Sequence, residues 1–70
     1  MTYLPGTRIR YTTDNLGLMG DRAYDGSTVN SGDTGTVLGP APDGSGWIYT
    51  EPDAHKQAIC PVDPSMIEAA

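Results

Sequence analysis

The sequence predicts an all-β fold: about five short strands curled into a small barrel, with a long, partly packed loop after the first strand. Three observations carry this. Nine glycines and six prolines among 70 residues leave no window longer than about ten residues free of a turn signal before residue 65, so helices of ordinary length have no room. The pieces between the turns alternate apolar and polar residues or are rich in β-branched and aromatic ones. The length suits one domain, residues 1–70, and not two.

The first strand is read at Thr7–Thr12. Thr7, Ile9 and Tyr11 share one face and Arg8, Arg10 and Thr12 the other, the pattern of a half-buried strand with its arginines in solvent. Residues 13–33 are ambiguous. They fold back as an irregular hairpin or serve as a functional loop, and Leu16, Leu18 and Tyr24 are expected to close one end of the core. Ser31–Gly35 is a turn feeding a strand at Thr36–Leu38 that Gly39-Pro40 ends. Asp43-Gly44 marks a tight reversal, so 34–38 and 47–51 pair as a hairpin. Ile48 and Thr50 then face the core, while Trp47, Tyr49 and Glu51 share the opposite face. Pro52-Asp53 breaks that run, and Ala58–Cys60 is a fourth strand that Pro61 ends. Pro64–Glu68 reads as a short helical turn or a final edge strand, with Ile67 or Met66 closing the core and Ala69-Ala70 frayed.

A chain this short buries only about 60% of the surface its unfolded form exposes, so a net stability of roughly 3–5 kcal/mol is expected. There is no Phe, and Trp47 with four tyrosines supplies the aromatic bulk. Cys60 is the one cysteine, which excludes an internal disulfide and points to a reducing cytosol. Neither a membrane span nor a signal peptide is legible.

The formal net charge is −5, with scattered acidic residues and only four basic ones, Arg8, Arg10, Arg22 and Lys56. Nonspecific nucleic-acid affinity comes largely from neutralised phosphates, so nucleic acid is an unfavoured partner.

The candidate sites follow from these faces. Trp47, Tyr49 and Glu51 form either an exposed contact patch or, if Trp47 folds over a barrel end, part of the core. Arg8 and Arg10 meet a phosphate backbone or pair with neighbouring carboxylates. Asp21, Asp25, Asp33 and Ser27 could suggest calcium, but the loop Asp21–Ser27 lacks the alternating ligands and terminal Glu of a calcium loop. One His and one Cys cannot build a zinc site, and His55 with Cys60 lacks the third group a nucleophile pair needs. No metal, cofactor or catalytic residue is expected, and the chain reads as non-enzymatic.

The order of pieces resembles the SH3-like barrels: Gly6–Tyr11, a loop, Gly32-Asp33-Thr34-Gly35-Thr36-Val37, a Gly-rich turn, Trp47-Ile48-Tyr49, then Ala58–Pro61 and Met66–Glu68. The Gly32–Val37 stretch is similar to a KOW-like element. The chain also has the look of small phage or high-GC bacterial proteins, which would place it in a phage particle if viral. The resemblance to peptide-binding members implies an aromatic groove flanked by acidic residues, with Tyr11, Tyr24, Trp47 and Tyr49 as its candidates beside Glu51. The resemblance to KOW-like modules implies nucleic-acid contact through Arg8 and Arg10. The leading expectation is a protein-interaction or assembly module that binds another protein or itself, Val29 or residues 65–68 pairing with a neighbouring copy. A nucleic-acid-contacting module and an acidic nucleic-acid mimic are the alternatives.

Overall fold

A computed structural model describes residues 3–19 and 28–70. The fold is all-β. Seven strands form: β1 (Arg8–Tyr11), β2 (Leu16–Gly17), β3 (Thr28–Val29), β4 (Thr34–Pro40), β5 (Ile48–Pro52), β6 (Cys60–Val62) and β7 (Ile67–Ala69). Five make one antiparallel sheet in the order β6-β5-β4-β1-β7, and β2 pairs with β3 in a separate hairpin. The expected barrel does not close among the described residues. β6 and β7 stand at opposite edges of the main sheet, and the hairpin lies against it as a second element. An isolated bridge, Met19 to Ile59, ties the continuation of β2 to the β6 side.

Alternation places the core. In β1, Ile9 and Tyr11 are buried and Arg8 and Arg10 exposed; in β5, Ile48, Thr50 and Pro52 point in. Val37, Cys60, Val62 and Ile67 join them, and Leu16 and Val29 from the hairpin cover the other side. The ambiguous loop is therefore a hairpin that contributes core. Its base is stitched by polar groups: the Asn15 amide donates to Asn30 Oδ1 (3.1 Å), the Ser31 amide to Asp14 Oδ1 (2.8 Å) and the Gly32 amide to the Tyr11 carbonyl (2.9 Å). Leu18 packs against this core. Tyr24, Asp21, Asp25 and Ser27 lie outside the described residues.

Several expectations are corrected. Gly39-Pro40 does not end β4; the strand runs through it by a bulge between Val37 and Gly39, with Gly39 at φ +149°, a backbone region that favours glycine. The bulge leaves Leu38 exposed. Pro61 sits inside β6 rather than ending it, because β6 is an edge strand where a missing N–H costs no ladder bond. Pro52 likewise closes β5 from within. The C-terminal segment is both alternatives in turn: a 3₁₀ turn at Pro64–Met66, capped by Asp63 Oδ1 accepting from the Ser65 amide (3.0 Å), then β7. Ala69-Ala70 is not frayed, since Ala69 pairs with Ile9 and the Ala70 amide donates to the Arg8 carbonyl. Val29 is fully buried and so offers no edge to a neighbouring copy.

One polar chain crosses the core. Thr50, wholly buried, donates its single hydroxyl proton to the Cys60 carbonyl (2.7 Å). Tyr11 must then be the donor in its 2.8 Å contact with Thr50 Oγ1. Burial pushes the Tyr11 hydroxyl up to about 12 and the Cys60 thiol up to about 11, so both stay protonated at neutral pH. The Tyr11 ring fits only because residue 35 is glycine: a Cβ there would stand 2.6 Å from the Tyr11 hydroxyl and 2.7 Å from the Glu51 carbonyl oxygen.

Two substitutions test this packing. Thr50→Val keeps the shape but strands the Tyr11 hydroxyl and the Cys60 carbonyl, and should cost about 2–4 kcal/mol in urea unfolding. Gly35→Ala should cost roughly 2–3 kcal/mol by overpacking. A loss under about 0.5 kcal/mol in either, the range of a surface change, contradicts the account.

Candidate interaction groove

The second face of β5 carries the site. Tyr49 points away from the core, opposite Pro61 on β6. Trp47 precedes β5 and is 38% exposed, so it is surface and not core. Met19, 43% exposed, is held by reciprocal backbone bonds of 2.8 Å each with Ile59, two residues before Pro61. Ala41, Asp43 and Ser45 complete the lining of an open groove of about 290 Å³. Its walls are an indole, a phenol, a thioether and a proline ring, with one carboxylate and no cation among the described residues.

The loop between β4 and β5 is built to hold Trp47 and Asp43 in place. The Ala41 amide donates to the Trp47 carbonyl (2.9 Å), closing the loop. The Ser45 amide donates to Asp43 Oδ1 (2.9 Å), and the Trp47 amide donates to Ser45 Oγ (3.2 Å). Hydrogen bonds from Ser45 hold the Asp43 carboxyl below the usual carboxylate range, so the groove's rim is anionic at neutral pH.

Of the sequence-derived contact candidates among the described residues, Trp47 and Tyr49 line this groove, and Tyr11 and Glu51 do not. Tyr11 is corrected outright: it has no exposed surface, because β1 alternation turns it into the core and Thr50 satisfies its hydroxyl. Glu51 lies farther along β5, where Oε2 accepts from the Gln57 amide (3.0 Å) and Oε1 faces Lys56 Nζ at 4.0 Å. Tyr24 lies outside the described residues. Sequence reasoning missed Met19 and Pro61, which reach the groove through pairings with no local signal, and read Asp43 only as part of a turn.

The arginine face is engaged by carboxylates. Arg8 donates from Nη1 to Asp53 Oδ1 (2.8 Å) and from Nη2 to Oδ2 (2.5 Å), and also reaches Thr36 Oγ1 (2.8 Å). Thr34 donates to the same Asp53 Oδ2 (2.7 Å), and Lys56 Nζ stands 3.6 Å from Oδ1. Arg10 pairs with Glu68 across β1 and β7 at 3.2 Å. His55 is partly exposed in the turn after β5. Among the described residues no three metal-ligating side chains cluster, and no helix is long and apolar enough to cross a membrane.

Comparison of the chain with known protein families, curated proteins and solved structures finds no match. The groove is therefore interpreted from its own chemistry.

The Arg8 guanidinium, and then Thr34, hold the Asp53 carboxyl far below the usual carboxylate range. A depressed folded value makes this contribution complete above the unfolded value of about 3.9 and lost as pH falls toward the folded one. Asp53→Asn should lower stability at neutral pH and flatten the loss of stability below about pH 4. Urea midpoints across the acid range check this, and an acid slope equal to the parent's contradicts the pairing.

Proposed function

We propose that this chain is a non-enzymatic protein-interaction module whose groove takes a short, extended segment of a partner protein, with apolar side chains on Trp47, Tyr49 and Pro61 and a basic side chain facing Asp43. The carrying observation is the groove's composition: exposed aromatic and thioether walls, a rim carboxylate with no cation among the described lining residues, and a loop that sets Trp47 and Asp43 in place. Trp and Tyr are strong interface anchors because they bury large area at low rotamer cost. A groove near 290 Å³ falls at the small end of ligand sites, which start at about 300 Å³, and suits a few side chains better than a large cofactor. The strand order and the Gly32–Val37 bend leading into β4 support an SH3-like arrangement, and the aromatic groove with its acidic rim supports peptide recognition within it.

The nucleic-acid reading has less support. Arg8, Arg10 and Lys56 each face carboxylates that a phosphate would have to displace. The mimic reading is weakened by the same pairs, which neutralise Asp53 and Glu68 where they stand.

The test is selection of displayed random peptides on the intact chain, followed by calorimetric titration of synthetic peptides into the parent and each variant, with the emission of Trp47, the one tryptophan, followed in the parent. Selected peptides should combine apolar residues with Lys or Arg. Trp47→Ala should weaken them by tenfold or more, about 1.4 kcal/mol, with the far-ultraviolet spectrum unchanged. Asp43→Asn should weaken them less and reduce their salt dependence. Failure to enrich any peptide, or equal binding by Trp47→Ala, contradicts the proposal.

A further inference from the structure

Among the described residues, the most exposed sulfur-bearing side chain stands on the groove. Cys60 has no exposed surface, and burial keeps its thiol protonated. Met66 packs against the core from the 3₁₀ turn. Met19 is different on two counts. Nearly half of it is exposed. Its backbone is clamped to Ile59 by two hydrogen bonds of 2.8 Å, which keeps the thioether on the groove wall with Trp47 and Tyr49.

We propose that Met19 is a site of reversible thioether oxidation that switches the groove from apolar to polar. The oxidant class is a peroxide. The Met19 sulfur lone pair attacks one peroxide oxygen, an S–O bond forms as the O–O bond breaks, and the displaced oxygen leaves as water after proton transfer. Sulfur loses two electrons and the peroxide gains them. A dithiol-dependent sulfoxide reductase returns two electrons, releasing the oxygen as water and leaving a disulfide on the reductase.

The structural consequence follows from where the oxygen lands. A sulfoxide is polar, and its oxygen needs hydrogen-bond donors that the apolar side chains of a seated segment do not supply. A segment seated on the groove would have to bury that oxygen or leave it wet. The fold itself is spared, because Met19 contributes backbone pairing and groove wall rather than core. The chemistry stands on exposure and placement alone; its consequence for a partner rests on the interaction reading above.

The experiment treats the full chain with dilute hydrogen peroxide and follows it by peptide mass mapping and Trp47 emission, alongside Met19→Leu and Met66→Leu. Met19 should gain one oxygen roughly fivefold or more faster than Met66, in line with exposure. Trp47 emission should change on the same time course in the parent and in Met66→Leu, stay constant in Met19→Leu, and be restored by a methionine sulfoxide reductase. A groove-binding peptide from the selection should bind the oxidised parent about tenfold more weakly while Met19→Leu is indifferent to peroxide. Oxidation of Met66 at an equal or greater rate, unmoved Trp47 emission, or unchanged peptide affinity after oxidation each overturns the proposal. If no peptide binds at all, the interaction reading fails, while the oxidation order and the Trp47 signal still decide whether Met19 is the switch.

Discussion

The Thr50 hydroxyl is the constraint on which the rest of the structure depends. It sits in a core otherwise made of aliphatic groups, one tyrosine and one cysteine, accepting from Tyr11 and donating to the Cys60 carbonyl. Those three residues come from β1, β5 and β6, so one polar chain couples three of the five strands of the main sheet. A buried hydroxyl without partners is costly, and a fully satisfied one specifies a single arrangement. Side chains alternate every residue along a strand, so a slip of one position would carry Thr50 into solvent and Trp47's neighbour Ile48 with it. The hydrogen-bond chain penalises that slip in a way that apolar residues of similar size would not.

The surface follows from the same register. Fixing Thr50 inward fixes Tyr49 outward opposite Pro61, and the Met19–Ile59 bridge brings a third wall alongside. The loop between β4 and β5 adds Trp47 and Asp43 by its own short hydrogen bonds, independent of the core. Ile48 and Thr50 in the core and Tyr49 in the groove are thus alternate residues of one five-residue strand. On the β1 side of the sheet the exposed arginines are matched to Asp53 and Glu68, so charge there is spent within the molecule. The groove's carboxylate has no cation beside it among the described residues, which leaves it an anionic feature open to a partner.

Where two-residue alternation is clean, the sequence shows the fold directly. Ile9 and Tyr11, then Ile48 and Thr50, fall on the buried faces that period two assigns them. The 34–38 with 47–51 hairpin is legible for the same reason, helped by Asp43-Gly44. Prolines misled the reading because their effect depends on sheet position: Pro61 reads as a terminator in isolation and is harmless on an edge. Tyr11 carried two contradictory signals, a buried parity and an aromatic side chain suited to contacts, and the parity governed. The groove was half legible. Trp47 and Tyr49 announce themselves as aromatics on one strand face, whereas Met19 joins them across 40 residues of sequence through a single bridge that no local pattern encodes.

The central claim is that β5 turns Thr50 toward Tyr11 while Trp47, just before β5, lies on the other side in the groove that Met19 also lines. A nuclear Overhauser spectrum of the intact chain tests it most directly. The account predicts cross-peaks between the Tyr11 ring and the Thr50 methyl, and between the Trp47 indole and the Met19 side chain. Cross-peaks from the Trp47 indole to Ile9 or Val37, with Thr50 silent to Tyr11, would contradict it.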